Sequence, residues 1–195
     1  DIAELEMMAK RCRRNIVRMV YGIGAGHPGG SLSAIDMLTG LYGHRLRVDT
    51  NDSTWGNRDR FIMSKGHASP GVYSILHERG FLTESDLWTY RKLGGSCQGH
   101  VDMKWCPGVD FSAGSLGMGL SFGIGCALAA TLDDSDRTAW VMLGDGELQE
   151  GQIWEALMYA GSKQVNNLIL TDGVDKVLGV LAPSAKNSDK NLFKT

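Results

Sequence analysis

A chain of 195 residues with 43% hydrophobic content is long enough to bury one substantial core and short for two. Its formal charge of -2, with no run of lysine or arginine, leaves no footprint for nucleic acid or an anionic membrane. No apolar stretch reaches the roughly 18 to 20 residues that span a bilayer, and the opening DIAELEMMAKRCRRN is charged throughout with no signal-peptide core, which predicts a cytoplasmic protein. Cys12, Cys97, Cys106 and Cys126 show no Cys-x-x-Cys spacing, so they read as reduced packing residues rather than zinc ligands or a disulfide frame. The unusual count is 26 glycines, about twice ordinary usage.

In chain order, Ile2, Leu5, Ala9, Cys12, Ile16 and Val20 mark one face of an opening helix that stops at the glycines of YGIGAGHPGG. A second helix follows, with Ser33 as its expected cap and Ile35, Leu38, Leu41 and Tyr42 on its apolar side. RDRFIMS (58–64) predicts a short strand, and GHASPGVYSILHERG a turn into a helix. Helical turns over 83–90 and a glycine-rich loop over 94–108 come next. GSLGMGLSFGIGCALAA (114–130) reads as a helix whose glycines let a backbone or a ligand come close. TAWVML (138–143) predicts a buried strand, Ile153, Ala156, Leu157 and Ala160 a helix, and NLILT (167–171) a further strand. This alternation predicts an α/β fold, a parallel sheet with helices on both faces. His44 and His77 fall inside helices without motif context and read as structural.

The segment Leu-Gly-Asp-Gly-Glu-Leu-Gln-Glu-Gly (143–151) places Asp145 at the carboxyl end of a strand, the edge of an open α/β sheet where ligands bind beside helix amino termini. Gly144 and Gly146 permit close backbone approach. A carboxylate there faces a phosphate only with a cation between them, so the economical reading is a magnesium-diphosphate site. The alternative is an ordinary Gly-Asp-Gly turn.

GHPGGSLSAIDML, DRFIMSKGHASPGVYSIL, CQGHVD, GVDFSAGSLGMGLSFGIGCALAA and LGDGELQEGQIWEALMYA together resemble the diphosphate-binding domain of transketolase, a thiamine-diphosphate enzyme. The resemblance runs over about residues 5 to 170 and is greatest to the split form, in which the amino-terminal half is a separate subunit. It implies the thiamine-diphosphate-binding fold, thiamine diphosphate and magnesium as cofactors, and transfer of a two-carbon ketol unit between sugar phosphates. Asp145 then resembles the magnesium ligand between Gly144 and Gly146, and His67 the histidine on the cofactor's phosphate side, with a helix-capping histidine as the alternative. Gly114 and Leu116 resemble the segment along the aminopyrimidine, a role compatible with simple helix packing. His27 and His100 resemble histidines that face the sugar, where imidazoles suit proton transfer near neutrality; a structural role is the alternative for each. Glu150 resembles an interface glutamate that joins two active sites, although a glutamate in a first helical turn also suits the helix dipole.

The chain departs from the family at the second metal ligand. Where the family has an asparagine after the next strand, this sequence reads TDGVDKVLG, with Asp175 at the expected place. Asn166 and Asn167 stand at the other end of that strand, about 15 Å away at roughly 3.3 Å per residue. The text beyond about residue 172 lacks the family's expected loop, so residues 1–195 are expected to be a single domain, incomplete or with residues missing there. The resemblance further implies that the activating glutamate comes from a pyrimidine-binding carboxyl-terminal subunit, that this chain alone is inactive, and that a homodimer sits within a heterotetramer. Two alternatives stay open: a non-catalytic regulatory or interaction subunit, and a related thiamine-diphosphate synthase acting on other sugars.

Overall fold

The computed structural model describes residues 1–172. Helix α1 (Ile2–Ile23) opens with the Asp1 carboxylate accepting from the Ala3 N–H at 3.2 Å, and it stops where Gly24 turns left-handed at φ 68°. Met8, Cys12, Ile16 and Met19 form its buried face, while Ile2, expected there, is exposed. Helix α2 (Pro28–Gly40) starts ahead of the predicted Ser33 cap. Pro28 takes the first helical position, where no N–H is needed, and Ser33 donates its hydroxyl to the Gly30 carbonyl within the helix at 3.2 Å. One π-helical turn, Leu41–Arg45, ends it.

Strand β1 (Arg60–Met63) leads through a 3₁₀ turn (Gly66–Ala68) into α3 (Ser69–Glu78), whose His77 lies 3.0 Å from the Leu82 carbonyl through Nδ1. The short α4 (Glu84–Leu87) is held by a capping box between Thr83 and Asp86. After a long loop come α5 (Met118–Leu132), β2 (Ala139–Leu143), a 3₁₀ turn (Gly146–Gln149), α6 (Gly151–Ser162) and β3 (Leu168–Asp172). Helix α5 begins four residues later than predicted because Gly117, at φ 86°, lies in the left-handed region and cannot continue a right-handed helix backwards.

Among the described residues three strands pair in the order β1, β2, β3, all parallel, with Ile62 beside Val141 and Val141 beside Leu170. Side chains alternate across the sheet. Phe61, Met63 and Met142 pack under α1, α2 and α3, whereas Ile62, Val141, Leu143, Leu168 and Leu170 meet α5 and α6. The result is the expected parallel α/β arrangement with both faces covered. Among the described residues no helix is long and apolar enough to cross a membrane. All four cysteines are free; Cys12, Cys97 and Cys106 are buried, and burial pushes the Cys97 thiol up to about 12, as suits packing residues.

At the amino edge of the sheet, Asp110 grips the Arg58 guanidinium at 2.9 and 2.6 Å and accepts from the Phe61 N–H at 3.0 Å. Asp59 accepts from the Arg47 and Thr138 N–H groups at 3.0 and 2.9 Å. At that edge both carboxylates are engaged by guanidinium and backbone partners.

Helix α5 seats on the sheet through glycine, since a β-carbon at Gly123 would stand 2.3 Å from Val141 Cγ2. Gly123→Ala is therefore expected to lower stability by about 1 to 3 kcal/mol. Gly125→Ala, in the same helix with open space around it, is expected to raise stability by about 0.5 to 1 kcal/mol. Urea unfolding of the two variants beside the unaltered protein checks the contrast.

Candidate active site

Three chain segments end together at the carboxyl edge, and one buried side chain ties them. Glu147, on the 3₁₀ turn after β2, is 2% exposed. Its Oε1 accepts from the Ser64 hydroxyl and from the Gly117 N–H at 2.8 Å, and its Oε2 from the Gly144 N–H at 3.0 Å. Ser64 closes β1, Gly117 precedes α5 and Gly144 closes β2. Sequence reasoning misses Glu147, because nothing in periodicity marks a buried glutamate. The one available signal is its place in GDGE, where strand-end N–H groups need an acceptor.

Beside this tie opens a cleft of about 720 Å³ whose lining includes Gly29, Gly30, Lys65, His67, Leu116, Gly144, Asp145, Gly146 and Glu147. Asp145 is exposed to the cleft and makes no capping hydrogen bond to the turn it starts. Gly30 in the wall leaves room for the His67 ring, whose Nε2 would lie 3.4 Å from a β-carbon there. A concave, glycine-walled site with the Asp145 carboxylate unpaired and Asp36 in the lining ion-paired with Arg13 suits a diphosphate carrying magnesium, since that ion is commonly bound through one or two carboxylates plus phosphate oxygens and water. Among the described residues no group of three or more His, Cys, Asp or Glu could hold a metal by itself. Asp175 lies outside the described residues. Asn167, at the amino end of β3, is occupied with the Ala127 and Arg137 carbonyls at 2.9 and 3.3 Å.

His27, His67 and His100 come together from the start of α2, the turn after β1 and the long loop. The His27 ring centroid is 5.2 Å from that of His67 and 6.3 Å from that of His100. The His100 loop is stitched to α3: Ser69 Oγ donates to the Gly99 carbonyl at 2.9 Å, and the Tyr73 hydroxyl sits 2.9 and 3.1 Å from the Gln98 and His100 carbonyls. Desolvation, then the neighbouring His27, Lys65 and His100, hold His67 below the ordinary histidine range, with Glu147 pulling weakly the other way. His100 is lowered as well, by partial desolvation of an otherwise exposed side chain and then by His27 and Arg91. Gly114 is exposed in the loop before α5 and outside the cleft lining. Glu150 is the exposed amino-terminal cap of α6, with no side-chain capping bond, and lies against Gly117, where a β-carbon would be 3.2 Å from its own.

Residues 5–177 match the family described as transketolase, thiamine diphosphate binding domain. The chain belongs to the transketolase family. It is 37% identical over 174 residues to the 6-deoxy-6-sulfo-D-fructose transketolase subunit SqwG of Clostridium sp. (strain MSTE9), an alignment covering 89% of this chain and 63% of that one. It is 38% identical to one subunit of the apulose-4-phosphate transketolase of Phocaeicola vulgatus, covering 87% and 60% respectively. In three dimensions it is similar to the transketolase of Campylobacter jejuni at a TM-score of 0.84 and 36% identity, over 88% of this chain and 28% of that one. The chain thus spans about three-fifths of the two subunit relatives' length.

Both lowered imidazoles carry a pH consequence. In the unfolded chain each takes up a proton near pH 6.5, whereas in the folded protein each resists it until lower pH, so the unfolded state binds more protons in that window. Stability is expected to fall as pH drops below about 6.5. His67→Asn and His100→Asn should each lose less stability between pH 7.5 and 5.5 than the unaltered protein, as measured by urea unfolding at the two pH values.

Proposed function

We propose that this chain is the diphosphate-binding subunit of a magnesium- and thiamine-diphosphate-dependent transketolase, moving a two-carbon ketol unit from a ketose phosphate to an aldose phosphate. The observation that carries the reading is the cleft itself: Asp145 free at the carboxyl end of β2, glycine walls around it, and the cluster of His27, His67 and His100 adjoining it. Family membership supports the cofactor. Thiamine diphosphate bound there would supply the nucleophilic carbon and the electron sink for cleaving a ketose carbon–carbon bond.

The chain's own residues divide the remaining work. Asp145, joined by Asp175, supplies oxygen ligands to magnesium, and the backbone at Gly144 and Gly146 lets the phosphates approach. His67 serves the phosphate side. Leu116, beside Gly114, offers apolar contact along the pyrimidine ring. Partial desolvation, then His27 and Arg91, lower His100 from its ordinary value, which favours a ring nitrogen that accepts a hydroxyl proton from the sugar and returns it. His27, 6.3 Å away between ring centroids, shares that duty. Glu150, exposed at the start of α6, is placed to meet another protomer.

The partner is a pyrimidine-binding subunit that brings the activating glutamate, and two copies of this chain pair in a heterotetramer. Support for the assembly comes from α5 and α6, where Met118, Trp154, Met158 and Tyr159 are exposed. Phe122 and Ile153, on the same two helices, are not part of that patch: Ile153 is fully buried under the sheet and Phe122 packs against Phe111 at 4.8 Å between ring centroids.

Calorimetric titration with thiamine diphosphate and magnesium tests the reading. The unaltered chain should bind, and Asp145→Ala should weaken magnesium-dependent binding by more than about 100-fold, the upper end for outer-shell metal partners. Equal affinity in the variant removes the metal assignment. In the mixed assembly, His27→Ala and His100→Ala are expected to cut turnover by about 10²- to 10⁴-fold. Cofactor affinity should stay within about threefold in both; a large loss of affinity places that histidine on the cofactor side instead.

A further inference from the structure

We propose that Glu147 is a positioning residue that sets the geometry of the cofactor cleft, an inference that rests on the thiamine-diphosphate reading above. Each of its donors sits one residue from a side chain lining the cleft. Ser64 precedes Lys65, Gly117 follows Leu116, and Gly144 precedes Asp145, and those three neighbours all line the cleft. One carboxylate therefore fixes the lysine, the apolar contact and the metal ligand relative to one another, although they come from three distant stretches of chain.

The chemistry of the tie admits only a carboxylate. Oε1 accepts two hydrogen bonds, from the Ser64 hydroxyl and the Gly117 N–H, and Oε2 accepts one from the Gly144 N–H. An ionised carboxylate offers acceptors at both oxygens and no donor. The isosteric amide of glutamine cannot match this in either orientation. With its oxygen at the Oε1 place, its NH₂ faces the Gly144 N–H; flipped, its NH₂ faces the Gly117 N–H. Either way two donors meet in a buried spot, where an unsatisfied group is costly. A glutamate serving only as packing would tolerate the exchange.

The test combines cofactor titration with amide hydrogen exchange in the full chain. Glu147→Gln is expected to weaken magnesium-dependent thiamine diphosphate binding by about tenfold or more and to speed exchange at the Gly117 and Gly144 amides. Asp145→Ala should lose binding while the Gly117 amide stays protected, which separates positioning from direct ligation. Unchanged affinity and unchanged exchange in a folded Glu147→Gln protein overturn the proposal. Should that variant fail to fold, Ser64→Ala decides, since it removes one donor and leaves the carboxylate: weakened binding supports the tie, and binding equal to that of the unaltered protein overturns it. Unaltered protein that takes up no thiamine diphosphate overturns the functional reading and this inference with it, an outcome distinct from loss confined to the variants.

Discussion

Helix α5 lies so near the sheet that Gly119 and Gly123 leave no space for a side chain: a β-carbon at the first would stand 2.5 Å from Ser64 and at the second 2.3 Å from Val141. A helix held at normal distance by larger residues would sit farther from the strands. Its amino end would then be withdrawn from the carboxyl edge of β1 and β2. The close seat brings the Gly117 N–H within 2.8 Å of Glu147, and through Glu147 the ends of both strands and the start of α5 become one unit. The cleft is the space left beside that unit, so its shape depends on a packing distance set well inside the core.

The two edges of the sheet treat charge in opposite ways. At the amino edge, Asp110 is matched by Arg58 with two short contacts and by a strand N–H, and Asp59 by Arg47 and two backbone N–H groups. Those carboxylates are consumed in closing the structure. At the carboxyl edge, Glu147 is spent on two backbone N–H groups and a hydroxyl, while Asp145 makes no capping bond. Asp36, ion-paired with Arg13, also lines the cleft, and carboxylates beside a diphosphate repel it unless cations intervene. Lys65 in the lining and a magnesium ion on Asp145 are the cations that the proposed chemistry places there.

Much of this is legible in the sequence, for reasons that differ by element. The strands TAWVML and NLILT are short apolar runs bounded by polar residues, and β2 and β3 fall within a residue of the predicted ends. The start of α2 is misread from sequence because Ser33 looks like a cap, whereas Pro28, immediately after His27, needs no cap to begin a helix. The start of α5 is misread because composition cannot report the sign of a glycine's φ. Asp145 stands out through its two glycines. Glu147, two residues on, does not, since its burial arises only when three separated segments converge. The meeting of His27, His67 and His100 spans loops of no regular period, and only resemblance to a family could bring them together in advance.

The cleft wall and the exposed apolar side chains are continuous in sequence. Leu116 lines the cleft, and Met118, two residues later, is exposed beside Gln152, whose amide lies 3.1 Å from the Met118 sulfur and 3.3 Å from the Ser121 hydroxyl. Between them stands Gly117, tied inward to Glu147 and flanked outward by Glu150. A partner that covers Met118 and the α6 surface therefore presses on the residue that helps shape the cofactor site. Under the proposed assembly, cofactor binding and the joining of protomers act on the same few atoms. By linkage each must favour the other to the same extent if both need Gly117 in its present place. In that assembly the shared contact at Gly117 is a physical route by which an empty cleft weakens the joining of protomers and a filled one promotes it.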